Sequence, residues 1–159
     1  MYKYIVAFFI SMVPLIELRA GVPFAIGMGI DQFTAILVCA IGNIIPVPFI
    51  YFFARKFLLW GEDKKYIGGV CRFFVEKGEK AGQKLTAKTG RYGLFMALLL
   101  FVGIPLPGTG AWTGTLAASF LNMGFKSAVV SVTLGVLLAG CIMGVLSVLG
   151  VSAFGALAG

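Results

Sequence analysis

Beyond Arg91 a single charged residue, Lys126, is met before Gly159. A bilayer span needs only about 20 mostly apolar residues, and the uncharged stretches on either side of Lys126 are both longer than that. The whole chain is 60% hydrophobic and 12% charged, against roughly 45–50% and about 25% for a soluble domain. A water-soluble fold of this size cannot hide so much apolar surface, so the sequence predicts an all-α integral membrane protein.

The formal net charge is +7, and ten of the thirteen Lys and Arg residues fall between Arg55 and Arg91. Concentration in one stretch flanked by bilayer-length apolar segments is the mark of a cytoplasmic loop under the positive-inside rule, and its partners are anionic lipid headgroups. Nucleic acid is excluded as a partner on this ground. Within 61–91, Ile67, Val70, Phe73 and Phe74 recur at helical spacing, which predicts an amphipathic linker helix on the cytoplasmic face. Cys39, Cys71 and Cys141 have no metal-type spacing and the chain has no His, so they read as free thiols, with no metal and no cofactor implied. The apolar run at the N-terminus passes straight into Glu17 and Arg19 without a small-x-small site, which reads as a retained segment rather than a cleaved signal.

Four apolar regions follow, at 4–30, 33–59, 92–121 and 127–158. The second contains Pro46 and Pro48, which remove backbone donors and should kink a spanning helix over 33–59. The fourth supplies a spanning helix over 126–150, with Gly140 and Gly144 spaced for close helix contact, there expected between subunits of a homodimer or higher homo-oligomer. The first and third are each broken near the middle. One reads Pro14-Leu15-Ile16-Glu17-Leu18-Arg19-Ala20-Gly21-Val22-Pro23, and the other Ile104-Pro105-Leu106-Pro107-Gly108-Thr109-Gly110-Ala111-Trp112-Thr113-Gly114. The legs beside each break are about 12 residues, or about 18 Å at 1.5 Å per residue, too short for a hydrocarbon core of about 30 Å. Re-entrant hairpins at 4–30 and 92–121 are therefore expected.

Aligning Pro14 with Pro105 also pairs Leu15 with Leu106, Ala20 with Ala111 and Asp31 with Asn122. The expected plan is one membrane domain, 1–159, with a first repeat at 1–60, a cytoplasmic linker at 61–91 and a second repeat at 92–159. The two repeats would be inverted, placing Met1 and Gly159 outside and Lys126 inside. Asp31 and Asn122 are expected to cap the spanning helices that follow them.

Irregular backbone at mid-membrane is tolerated only where protein covers it or it lines a polar cavity, so the two breaks are the candidate site. Glu17 and Arg19 are the only ionisable residues inside an apolar region away from its edges, where a charge costs roughly 2.5–3.5 kcal/mol. A structural reading has them pairing with each other or with backbone freed by Pro23. A functional reading gives Arg19 an anionic group and Glu17 a proton, or another coupling ion, to exchange. Pro105, Pro107, Gly108, Thr109, Gly110, Trp112 and Thr113 on the second break would add hydroxyls and bare amides suited to an anion, with packing of the hairpin tip as the other reading of Trp112; Asn43 would open toward the same space or, with Pro46 and Pro48, only shape the kink. No Gly-Lys-Ser or Gly-Lys-Thr follows the glycines, so they do not make a nucleotide loop. No constellation for hydrolysis or nucleophilic catalysis is present, and the chain does not read as an enzyme.

At these two breaks, Pro14 to Pro23 and Ile104 to Gly114, and in the basic linker leading into Tyr92-Gly93-Leu94, the sequence resembles the small multidrug export proteins, distant relatives of the DedA or SNARE-associated membrane proteins. The resemblance implies a multi-pass transporter of the cytoplasmic membrane. For the DedA relatives it implies movement of lipid-linked phosphates with acidic and arginine residues on facing hairpins. Glu17 and Arg19 fit that pattern on the first hairpin, and the second departs from it by carrying no charge. The expected activity is ion-coupled translocation of an anionic amphiphile or lipid-linked phosphate, with drug export as an alternative. An adaptor acting through the basic linker is a further alternative from a different class.

Overall fold

The computed structural model describes residues 1–14, 16–64, 68–106 and 109–158. Of the residues singled out above, Leu15, Ile67, Pro107, Gly108 and Gly159 lie outside the described residues, as do the side chains of Val70, Cys71 and Phe74. The described chain is helical: α1 (Tyr2–Met12), α2 (Glu17–Gly27), α3 (Gln32–Ile44), α4 (Pro46–Glu62), α5 (Gly68–Gly103), α6 (Ala111–Phe120) and α7 (Phe125–Ala158).

Each break begins where the sequence demands it. A residue before proline is pushed out of the helical region, and Val13, before Pro14, is extended at φ −72° and ψ 131°, ending α1. Helix α5 stops at Gly103, two residues short of Pro105. Pro46 and Pro48 have a smaller effect than expected, since Ile45 between α3 and α4 keeps helical dihedrals (φ −54°, ψ −42°). Missing proline donors thus interrupt the hydrogen-bond ladder while the chain continues as one apolar stretch, Gln32–Gly61, long enough to cross a bilayer. Phe125–Gly150 of α7 is the second such stretch. Helices α1, α2 and α6, with 11, 11 and 10 residues, are only about 15–17 Å long at 1.5 Å per residue.

The two halves repeat one local motif. In the first, Ile30 N–H bonds Ala25 C=O (3.1 Å) and Gly29 N–H bonds Ile26 C=O (2.9 Å). In the second, Met123 N–H bonds Ala118 C=O (3.0 Å) and Asn122 N–H bonds Ser119 C=O (3.2 Å). Both are helix-ending turns around a left-handed residue, Gly29 at φ 78° and Asn122 at φ 54°. Asn122 therefore closes α6 instead of opening α7, which corrects the expectation that it matches Asp31. Asp31 does cap α3, accepting a bond from Thr34 N–H at 2.9 Å.

The long helices run antiparallel. Near the start of α3, Ile36 and Gln32 face Gly144 of α7, whereas Tyr51 of α4 donates its hydroxyl to the carbonyl of Met123, just before α7. A Cβ on Gly140 would stand 2.9 Å from Ile36 Cγ2, and one on Gly144 would stand 2.6 Å from Ile36 Cδ1. These two glycines are consumed by packing inside the chain, which corrects their assignment to a subunit interface. The hairpin α1–α2 starts and ends beside the start of α3, where Lys3 Nζ donates to Met28 C=O. The Gly90–Gly103 part of α5 pairs with α6 as a second hairpin, and a non-helical Gly90 (φ 70°) separates it from the basic part of α5.

Small side chains fill the centre, among them Ala7, Ala35, Cys39, Ala118, Ala128 and Ser131. Leu18, Val47, Tyr51 and Leu98 share that core, while many other large apolar side chains face outward. Along α3 and α4 a stripe of Phe33, Leu37, Ile41, Ile45, Phe49 and Phe53 recurs every four residues, with Phe33 72% and Phe49 73% exposed. Monomeric soluble proteins rarely expose a continuous apolar face of this kind, and a lipid-facing helix requires one.

Candidate functional site

The tips of the two hairpins meet at the start of α2 and the start of α6. Helix α6 opens at Gly110, a residue with no side chain to serve its free first-turn N–H groups. Glu17 does so from the other half of the chain: its Oε1 accepts from Trp112 N–H at 3.1 Å. A Cβ on Gly110 would fall on the Glu17 carboxylate, so glycine is the residue that leaves room for it. A negative group at a helix N-terminus is favoured by both the unpaired amides and the helix dipole. Glu17 is 4% exposed and sits at φ 48°, a left-handed conformation uncommon for a non-glycine residue. Such a conformation costs roughly 1–3 kcal/mol and persists where surrounding contacts impose it.

Two further bonds cross between the tips. Arg19 Nη2 donates to Thr109 Oγ1 at 2.6 Å, and that hydroxyl lies 2.9 Å from Ile104 C=O and 3.0 Å from Leu106 C=O at the end of the opposite first leg. Trp112 Nε1 donates to Met12 C=O at 3.2 Å, the last residue of α1. Each second leg thus reaches the place where the other hairpin's first leg ends. Glu17 and Arg19 form no ion pair with each other; among the described residues the one ion pair is Lys80–Glu76, at 3.8 Å. Of the two readings of this pair, the structural one, in which they bond each other, gives way to separate bonds onto the second hairpin.

Of the residues singled out in the sequence, Glu17, Arg19, Asn43 and Gly110 line one cavity of about 10 Å³. That is space for about one water, against the several hundred Å³ of a drug-sized site. Thr109 and Trp112 are one bond away. Thr113 turns back to Gly110 C=O at 3.4 Å on its own helix, and Pro105 is half-buried outside the cavity lining. Asn43 is 3% exposed, and among the described residues its Oδ1 has no hydrogen-bond partner. Among the described residues no group of His, Cys, Asp and Glu side chains is placed to hold a metal.

A larger space was not foreseen. A cleft of about 690 Å³ opens between the basic part of α5 and the junction of α6 with α7, lined by Gln83, Arg91, Leu94, Asn122, Met123 and Ser127 among others. Its one sequence signal is that Arg91 and Lys126 each stand at the foot of an uncharged stretch, and nothing in their spacing tells that the two feet are neighbours.

Two apolar spans, an outward apolar stripe and a polar junction covered by protein define a helical membrane protein. Residues 17–142 match the family described as "putative small multi-drug export protein", and the chain belongs to that family. The matched stretch runs from Glu17, taking in Glu17, Arg19 and the whole second break, and leaves out α1 and the turn at Pro14. No curated protein and no solved structure matches the chain. The family description points to export, a transport role.

Proposed function

We propose that the protein is a multi-pass transporter of the cytoplasmic membrane that moves an anionic amphiphile, such as a lipid-linked phosphate, coupled to proton exchange at Glu17. In this reading the halves are inverted repeats, each a re-entrant hairpin plus a spanning helix, with 61–91 on the cytoplasmic side. The antiparallel course of α3–α4 and α7 supports inversion, as does the return of α1–α2 to the end it started from. The cleft of about 690 Å³ supports a headgroup-sized waiting site at the basic end, with Arg91 for the anion and Leu94 and Met123 for the apolar part. The tip junction is then the gate, because its cavity of about 10 Å³ passes nothing of that size until the tips part.

One observation carries the reading: buried Glu17 and half-buried Arg19 are spent on joining one hairpin to the other, through Glu17 to Trp112 and Arg19 to Thr109. Bonds that only stiffened a hairpin would be local. A second reading, export of small drug-like molecules, is favoured by the family description; a guanidinium at the gate would oppose cationic drugs.

The test is transport in proteoliposomes with a fluorescent anionic phospholipid and a cationic dye side by side. Anion movement that stops in Arg19→Gln, stays impaired in Arg19→Lys and loses its dependence on a pH gradient in Glu17→Gln supports the proposal, since an ammonium cannot reproduce the planar fork of a guanidinium. Dye movement without lipid movement favours the second reading, and undiminished anion transport by folded Arg19→Gln protein sinks the first.

A further inference from the structure

The cavity between the tips is too small for an amphiphile and poorly built for a metal cation. Calcium takes 6–8 oxygen ligands and magnesium an octahedral set, whereas the polar side chains here are one carboxylate, one amide and the Arg19 guanidinium. What remains within reach of these groups is a proton. An ionised carboxylate only accepts hydrogen bonds, while the protonated acid gains one O–H donor. In the arrangement described, Glu17 accepts from Trp112 N–H, and Asn43 lines the same cavity with a buried Oδ1 that finds no donor among the described residues.

We propose that Glu17 and Asn43 form a proton site in which Asn43 Oδ1 receives the hydrogen bond of the neutral acid, so that protonation transfers Glu17 from α6 to α3. Charged Glu17 ties the first hairpin to the second. Neutral Glu17 ties it instead to the long helix of its own half, and α6 loses the group that serves its N-terminus. Asn43 is a positioning residue that gives the gate its second resting state. This assignment rests on the reading that Glu17 exchanges a proton. The other groups facing Glu17 leave the switch to this pair. On its own helix Arg19 is the one charged neighbour; on α3 the thiol of Cys39, one turn before Asn43, faces Ala7 C=O of α1 at 3.8 Å. Helices α5, α6 and α7 bring only Val102, Gly110, Ala111, Val136 and Ala139 to the cavity, none of them ionisable.

Trp112 reports the junction, because its backbone and indole N–H groups both cross it. In full-length protein in nanodiscs, with Trp60→Phe leaving Trp112 as the only tryptophan, emission should follow a single titration with pH. Asn43→Leu, close in size and lacking an acceptor, should lower the midpoint by about one pH unit, or about tenfold in proton affinity. Asn43→Asp should raise it, since two carboxyl groups at one site share a proton. A residue with only a structural role would change the melting temperature and leave the midpoint in place. An unmoved midpoint in both Asn43 variants, with the titration abolished in Glu17→Gln, overturns the role of Asn43 and leaves proton exchange at Glu17 standing. A titration that survives Glu17→Gln overturns that underlying reading instead.

Discussion

The two hairpins share a backbone plan and divide the chemistry unequally. Both leave their first leg beside a proline and close their second leg with the same left-handed turn, at Gly29 and at Asn122. At the tips they part company. The first presents side-chain charge on a strained backbone, Glu17 at φ 48° and Arg19 two residues on. The second presents glycine, hydroxyl and bare amides, with Gly110 so close to Glu17 that a methyl group would displace the carboxylate. The difference teaches how a low-dielectric junction can be made with few charges. A carboxylate against another buried charge would carry two desolvation penalties, whereas a helix N-terminus offers it a dipole and amides that are already unsatisfied.

The comparison breaks most severely at Gly110. Gly110→Ala should push Glu17 off α6 and leave a buried charge without its partner, a loss of about 3–5 kcal/mol. A Cβ at Gly27 of the first hairpin meets nothing within 4 Å, so Gly27→Ala should change stability by no more than about 1 kcal/mol. Melting temperatures in a mild detergent separate the two, and equal effects would mean that the tips are not in contact.

A smaller asymmetry lies at the closing turns. Gly29→Ala should cost about 1–2 kcal/mol, because a Cβ is disfavoured in the left-handed region, while Asn122→Gly should be neutral or stabilising. The same melting assay checks both signs.

The smallest effect concerns the caps that follow. The bond from Thr34 N–H holds the Asp31 carboxyl below its usual value, whereas Gly124, ahead of α7, has no side chain to titrate. A carboxyl depressed in the folded state contributes stability above its unfolded pKa of about 3.9 and loses it as pH falls through the lower folded value. Asp31→Gly should therefore show a shallower fall in melting temperature on going from about pH 5 to about pH 3, and Gly124→Ala should leave that slope unchanged.

Much of this was legible in the sequence where a local rule applied. Pro14 and Pro105 end their helices by a steric effect on the preceding residues, and Asp31 caps α3 through an amide three residues away. The charges at Glu17 and Arg19 mark the site because they are expensive in an apolar region. What could not be read depended on pairings across the fold. The partner of Glu17 is a backbone N–H 95 residues further along, and an amide has no letter of its own in the sequence. Gly140 and Gly144 looked like an intersubunit seam because a small-residue pattern specifies close approach without naming the helix approached. Asn122 looked like a cap for α7 because cap and left-handed turn draw on the same residue types, and the cleft beside Arg91 exists only once α5 and α7 are side by side.

The central claim is that the two tips are energetically coupled, and the Arg19–Thr109 bond tests it through a contact in which Glu17 takes no part. In a double-mutant cycle with Arg19→Gln, Thr109→Val and the double variant, melted in one detergent at one pH, a charged hydrogen bond predicts a coupling of about 1.5–3 kcal/mol. Strictly additive effects, with no coupling between residues 19 and 109, would contradict the account.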